Sequence, residues 1–193
     1  VQGGISTSPI SYKPWIGEGE WEDTFETAAR RLAEVTGELV ELRQNTGRVI
    51  HLDIEPEPNC LLENTRETVD FFTGWLFPVG RVHLADILGI ASEAAEDLLR
   101  RHIRICYDTC HFAVEYEDPA EAFDAFQTAG IRVGKIQISS ALKVEIPESR
   151  DERARLWERL RPFSEAVYLH QVIERRSDGE LHRFSDLDVA LID

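Results

Sequence analysis

Three short segments, at residues 49–55, 103–108 and 131–139, alternate apolar with polar or ionisable side chains in the period of a β-strand. In the first, Ile50, Leu52 and Ile54 share one face, and His51, Asp53 and Glu55 share the other. In the second, Ile103, Ile105 and Tyr107 oppose Arg104, Cys106 and Asp108. In the third, Ile136 and Ile138 oppose Lys135 and Gln137. Helical patterns separate these strands, which implies βα repeats and a parallel sheet. A doubly wound parallel sheet covers both faces with apolar helices, where Asp53, Arg104 and Lys135 are costly unless paired. The interior of a (β/α) barrel is a separate compartment that can hold a charged network, and its strand C-termini carry the chemistry. The expected fold is therefore α/β, a (β/α) TIM barrel or an arc of one, with about four barrel strands where a closed barrel needs about eight.

The rest of the chain fits that plan. Residues 3–12 read as a short strand running into a proline-limited loop. Residues 22–43 carry Phe25, Ala28, Ala29, Leu32, Val35, Leu39 and Leu42 at helical spacing, with Gly47 placed to end the helix. A helix starts near Asn64 and carries Val69, Phe72 and Leu76, and a second helical region spans 81–102 with Ser92 as its expected N-cap. A loop is expected from the 103–108 strand to Glu117, then a helix from Asp118-Pro119 that closes at Gly130. Residues 148–161 read as an exposed amphipathic helix. A strand at 167–175, the turn Ser177-Asp178-Gly179 and a strand at 181–184 form an appended hairpin within 165–185. Nothing in 186–193 reads as a strand, and 1–193 reads as one domain.

Composition excludes several classes. A net charge of −15 opposes nucleic-acid phosphates and anionic membranes, so no nucleic-acid partner is expected. There is no apolar run long enough to span a bilayer and no signal-peptide pattern, so the expectation is a cytoplasmic protein without direct membrane insertion. Three cysteines are expected as free thiols, because a chain this large does not depend on staples. The sequence has no methionine, which suggests a fragment of a longer chain. An open arc exposes strand edges, which a homodimer or another partner would cover.

Glu55, Asp108 and Gln137 are the last, or nearly last, inward residues on three successive strands. Oxygen ligands of this type suit a divalent cation such as Mg²⁺ or Mn²⁺ in preference to Zn²⁺. His51, Asp53, Arg104 and Lys135 are expected to form hydrogen-bonded internal pairs. Cys60, Cys106 and Cys110 read as small buried hydrophobes, since a zinc site at Cys106, Cys110 and His111 lacks a second close cysteine pair.

At these strand ends the sequence resembles the xylose isomerase-like TIM barrels, which include sugar isomerases, sugar epimerases and endonuclease IV. The resemblance lies in Ile54-Glu55-Pro56, in Asp108-Thr-Cys-His111 and in Ile136-Gln137-Ile138. Longer stretches resemble the EboE family of metabolite traffic proteins: residues 5–13, 54–58, 106–115, 135–142 and 168–172. The resemblance implies that Glu55 binds a metal and acts as general base. It implies Asp108 and Gln137 as further metal ligands, and His111 as a holder of substrate oxygen. The strand that usually supplies a further glutamate ligand has no counterpart in the chain, nor do the early strands. His170 and Gln171, in the expected hairpin, are kept out of the metal site. The implied function is a metal-dependent isomerase or epimerase acting on a small metabolite in secondary-metabolite precursor traffic. A non-catalytic binding or trafficking component is the alternative. An endonuclease IV-like nuclease is weaker, because the charge is wrong for DNA.

Overall fold

The computed structural model describes residues 2–164 and 170–192. It divides into two compact units, Val1–Ser139 and Ser140–Asp193. The first holds four parallel strands, β1 (Gln2–Thr7), β2 (Val49–Ile54), β3 (Ile103–Asp108) and β4 (Val133–Gln137), in the order β1-β2-β3-β4. The fold is thus α/β, with its sheet curled into a half-barrel. A Cβ added at Gly4 on β1 or at Gly134 on β4 would collide with Asp53 on β2. A residue of β4 reaches one of β2 across the intervening strand because the sheet rolls around its polar face.

The helices cover the other face. Between β1 and β2 runs α1 (Trp21–Thr46), ended by Gly47 in the left-handed region at φ 69°, where a Cβ is disfavoured. After β2 come α2 (Thr65–Phe71), a π-helical segment Phe72–Gly80, α3 (Arg81–Leu88) and α4 (Ser92–His102). Asn64 caps α2 by accepting from Glu67 N at 3.0 Å. The expected single helix past Asn64 changes pitch in the segment that contains Pro78, which lacks the amide hydrogen an α-helical ladder requires. Between α3 and α4 the chain turns at Gly89, φ 65°. Ser92 is the first residue of α4 and not its cap; Ala91 occupies the cap with no side-chain bond.

The expected loop after Asp108 is instead a short helix, α5 (Thr109–Val114), followed by α6 (Pro119–Thr128). Asp108 caps α5 through Cys110 N at 3.0 Å, which lets the helix start directly at the strand end. β4 is shorter than residues 131–139, so Ile131 and Ser139 flank it. The core lies between the helices and the apolar strand face: Ile54, Ile103, Ile105 and Tyr107 pack with Phe71, Phe72, Leu76, Leu99, Phe112 and Phe126. Tyr107 and Phe112 stack at 4.1 Å between ring centroids, so α5 is pinned to the strand it follows. At the sheet margins Ile5, Ile136 and Ile138 stay exposed.

The second unit contains α7 (Arg150–Leu160), a 3-10 turn Arg161–Phe163, the antiparallel pair β5 (Val172–Arg175) and β6 (Leu181–Phe184), and α8 (Leu187–Ala190). The hairpin forms as the turn residues require, with Gly179 at φ 89°. Residues 167–169 of the expected strand lie outside the described residues. The final segment forms α8, capped by Asp186. No helix among the described residues is long and apolar enough to cross a membrane. All three cysteines are free.

Candidate functional site at the strand ends

Glu55 follows β2, while Asp108 and Gln137 end β3 and β4 and are register partners. Their side chains converge. Gln137 Nε2 donates to Glu55 Oε1 at 2.6 Å and to Asp108 Oδ2 at 2.7 Å. Two carboxylates from adjacent strands therefore surround one nitrogen. The other end of the amide accepts: Lys135 Nζ donates to Gln137 Oε1 at 2.8 Å, and also to Ser6 Oγ of β1 at 2.9 Å.

Asp108 also accepts through Oδ1, from Cys110 N at 3.0 Å and from the Ser139 hydroxyl. Burial pushes its carboxyl up, but the bonds from Ser139 and Cys110 outweigh that and hold it below the usual carboxylate range. It is thus charged at neutral pH. His111 Nδ1 lies 2.9 Å from Pro56 O and 3.8 Å from Glu55 Oε1. A carbonyl can only accept, so Nδ1 carries the hydrogen and, in the neutral ring, Nε2 is left as an acceptor.

Deeper in the half-barrel the expected internal pairing holds only in part. His51 Nδ1 and Asp53 Oδ1 are 2.6 Å apart and almost fully buried. Burial pushes the Asp53 carboxyl above its usual range, against the lowering by His51, and its Oδ2 has no hydrogen-bond partner among the described residues. Arg104 and Lys135 do not join this pair. Arg104 Nε donates to Arg101 O at 3.0 Å, and Lys135 turns to Ser6 and Gln137. The thiols are poor nucleophiles, since burial and then the nearby Glu55 charge push Cys106 up to about 12, and burial also raises Cys110.

A hard divalent cation here would need several oxygen ligands. Glu55 and Asp108 fit: the partly positive amide nitrogen between them stands where a cation's charge would go. Gln137 in this orientation does not, because its oxygen faces Lys135. It becomes an oxygen ligand only after a half-turn of the amide. Asp108, Cys110 and His111 offer a second overlapping set, with one ligand atom each lying within 4.8 Å of the others. Ser139, Lys135 and Ser6 were not among the residues expected at this site. Ser139 was within reach of the sequence, since it continues the alternation of Lys135 and Gln137 on one face. A groove of about 550 Å³ lined by Asp70, Glu117, Asp118 and Glu121 shares no residue with the strand ends. His170 belongs to the second unit, 3.4 Å from Asp186.

No family model, curated protein or solved structure matches the chain.

Proposed function

We propose that the chain is a xylose isomerase-like (β/α) barrel protein, EboE-like, whose strand ends hold a divalent cation, Mg²⁺ or Mn²⁺ before Zn²⁺. Its substrate class is a small polyol, keto-sugar or related metabolite, handled in secondary-metabolite precursor traffic. The observation that carries this reading is the convergence of Glu55 and Asp108, from adjacent strands, on a single nitrogen. A bound cation supplies polarisation of neighbouring substrate oxygens.

The protein's own groups supply the rest. Glu55 and Asp108 hold the cation, with Gln137 after its amide turns. Glu55 Oε1 is also the base for a proton on carbon beside a carbonyl or hydroxyl. Asp108 keeps its charge because Cys110 N and Ser139 donate to it, so it does not compete for that proton. His111 is fixed by Pro56 O and presents Nε2 toward a substrate hydroxyl. The inward-facing amide of Gln137 leaves a second reading, a non-catalytic binding or trafficking component whose carboxylates stay hydrogen-bonded to the amide.

Mn²⁺ binding by the wild-type chain and by Asp108→Asn distinguishes them. Asparagine keeps the α5 cap but removes the charge, so the cation reading expects affinity to fall by more than about tenfold. Equal affinity in both proteins refutes the assignment of Asp108.

A further inference from the structure

This inference rests on the strand ends being a cation site. We propose that Lys135 and Gln137 form a latch that sets the cation affinity of that site. The Gln137 amide nitrogen, locked inward by Lys135, is a built-in hydrogen-bond donor that a divalent cation must displace from the two carboxylates.

The hydrogen bonds fix the orientation of the amide. Nε2 donates to two carboxylates, at 2.6 and 2.7 Å, while Oε1 accepts from an ammonium at 2.8 Å. Exchanging the two ends would press an oxygen against two carboxylates and an N–H₂ against Lys135, so all three contacts would turn repulsive. Lys135 is itself held from a second side, by Ser6 on the far margin of the sheet, 2.9 Å away. The ammonium therefore cannot swing aside without losing that bond too.

A cation that takes both carboxylates has to evict Nε2. For Gln137 then to supply its oxygen as a third ligand, the amide has to turn, which aims its N–H₂ at Lys135. The latch thus makes the cation-ready orientation a minor state, and apparent affinity falls by the fraction of time that state is populated. Ser6, Lys135 and Gln137 together decide how much cation the site takes at a given concentration.

Removing Lys135 also removes a positive charge that repels cations directly, so one substitution does not separate the two effects. A double-mutant cycle does. Mn²⁺ affinity is measured by calorimetry on the full chain for wild type, Lys135→Met, Gln137→Ala and the double variant, at one pH and ionic strength. The latch expects Lys135→Met to tighten Mn²⁺ about tenfold when Gln137 is present, and less than about threefold when it is not. An equal gain in both backgrounds overturns the latch and leaves the cation site standing. No Mn²⁺ uptake by any of the four proteins overturns both. Lys135→Gln repeats the test with a polar side chain should the methionine disturb folding.

A metal-free measurement stands beside it. The side-chain N–H₂ signal of Gln137, identified by its loss in Gln137→Ala, should exchange slowly with water in wild type and faster in Lys135→Met. Exchange as fast as that of a solvent-exposed glutamine in wild type overturns the lock.

Discussion

Replacing Gly134 by alanine puts a methyl group where the curled sheet has no space. Its Cβ would lie 2.1 Å from Asp53 Oδ1, 2.8 Å from Asp53 Cγ and 2.8 Å from His51 Cε1. Ordinary non-bonded contacts sit near ~3.5–4.0 Å, so Asp53 would have to move by more than an ångström. It has nowhere to go: its side chain is 0% exposed and that of His51 is 3% exposed. Gly4 closes the other side, where a Cβ would stand 2.3 Å from Asp53 Oδ2.

Overpacking of this kind costs about 1–3 kcal/mol. Breaking the buried His51 to Asp53 bond adds about 1–3 kcal/mol. Removing a strand glycine returns only about 0.5–1 kcal/mol. The net expectation is a loss of about 1–5 kcal/mol, or a fall in Tm of roughly 2–20 °C for a chain of this size. Urea unfolding and thermal unfolding followed by circular dichroism measure both quantities. Gly74→Ala is the control, because nothing lies within 4 Å of its added Cβ in a helical segment. It should be neutral or more stable by up to about 1 kcal/mol. If Gly134→Ala unfolds at the wild-type temperature, the account of the half-barrel interior as closely packed around His51 and Asp53 is wrong.

Two further outcomes follow from single side chains. His102 donates from Nδ1 to Ile50 O at 2.6 Å, its Nε2 is buried without a partner among the described residues, and burial holds its pKa below the ordinary 6.5. Protons therefore bind the unfolded chain first, and the stability this neutral ring contributes is complete above pH 6.5 and is lost as the pH falls from there toward the folded value. His102→Asn keeps a donor for Ile50 O and should flatten the dependence of Tm on pH below 6.5; an unchanged slope would refute the assignment. Asn64→Ala removes the acceptor that caps α2 through Glu67 N and should cost about 1 kcal/mol in denaturant unfolding. No loss would mean that Glu117, which accepts from Thr65 N at 3.0 Å, holds that helix end unaided.

The strand faces were legible because alternation is a local property: Ile50, Leu52 and Ile54 declare one side of β2 without reference to any other strand. The inward residues Glu55, Asp108 and Gln137 follow from the same period, and the parallel sheet brings them together. Less could be read where a residue serves two elements. Asp108 ends a strand and caps α5, whereas an aspartate at a strand end suggests a loop by itself. The bonding of Lys135 was not legible either. Its ammonium could have met Asp53 on the interior face, but the fold gives it Ser6 and Gln137, partners 129 and 2 residues away. Which end of the Gln137 amide faces inward depends on that choice, so the hydrogen-bonding polarity between Glu55 and Asp108 is set by tertiary contacts and not by spacing.

Both acidic groups of the polar face, the Asp53 pair and the Glu55 and Asp108 pair, look equally chemical as letters, but their surroundings assign them different work. Asp53 is sealed between Gly4 and Gly134, and burial has already pushed its carboxyl toward the neutral form. A ligand reaching it would first have to part backbone strands. The strand ends are open to solvent: the side chains of Glu55 and His111 are 19% and 21% exposed, enough for a cation or a small hydroxylated ligand to touch them. Asp108, more buried, keeps its charge through the hydrogen bonds from Ser139 and Cys110. The interior pair therefore belongs to packing, and on the polar face of the sheet the carboxylates open to solvent are those at the strand ends, where Gln137 donates to both and Lys135 holds the amide.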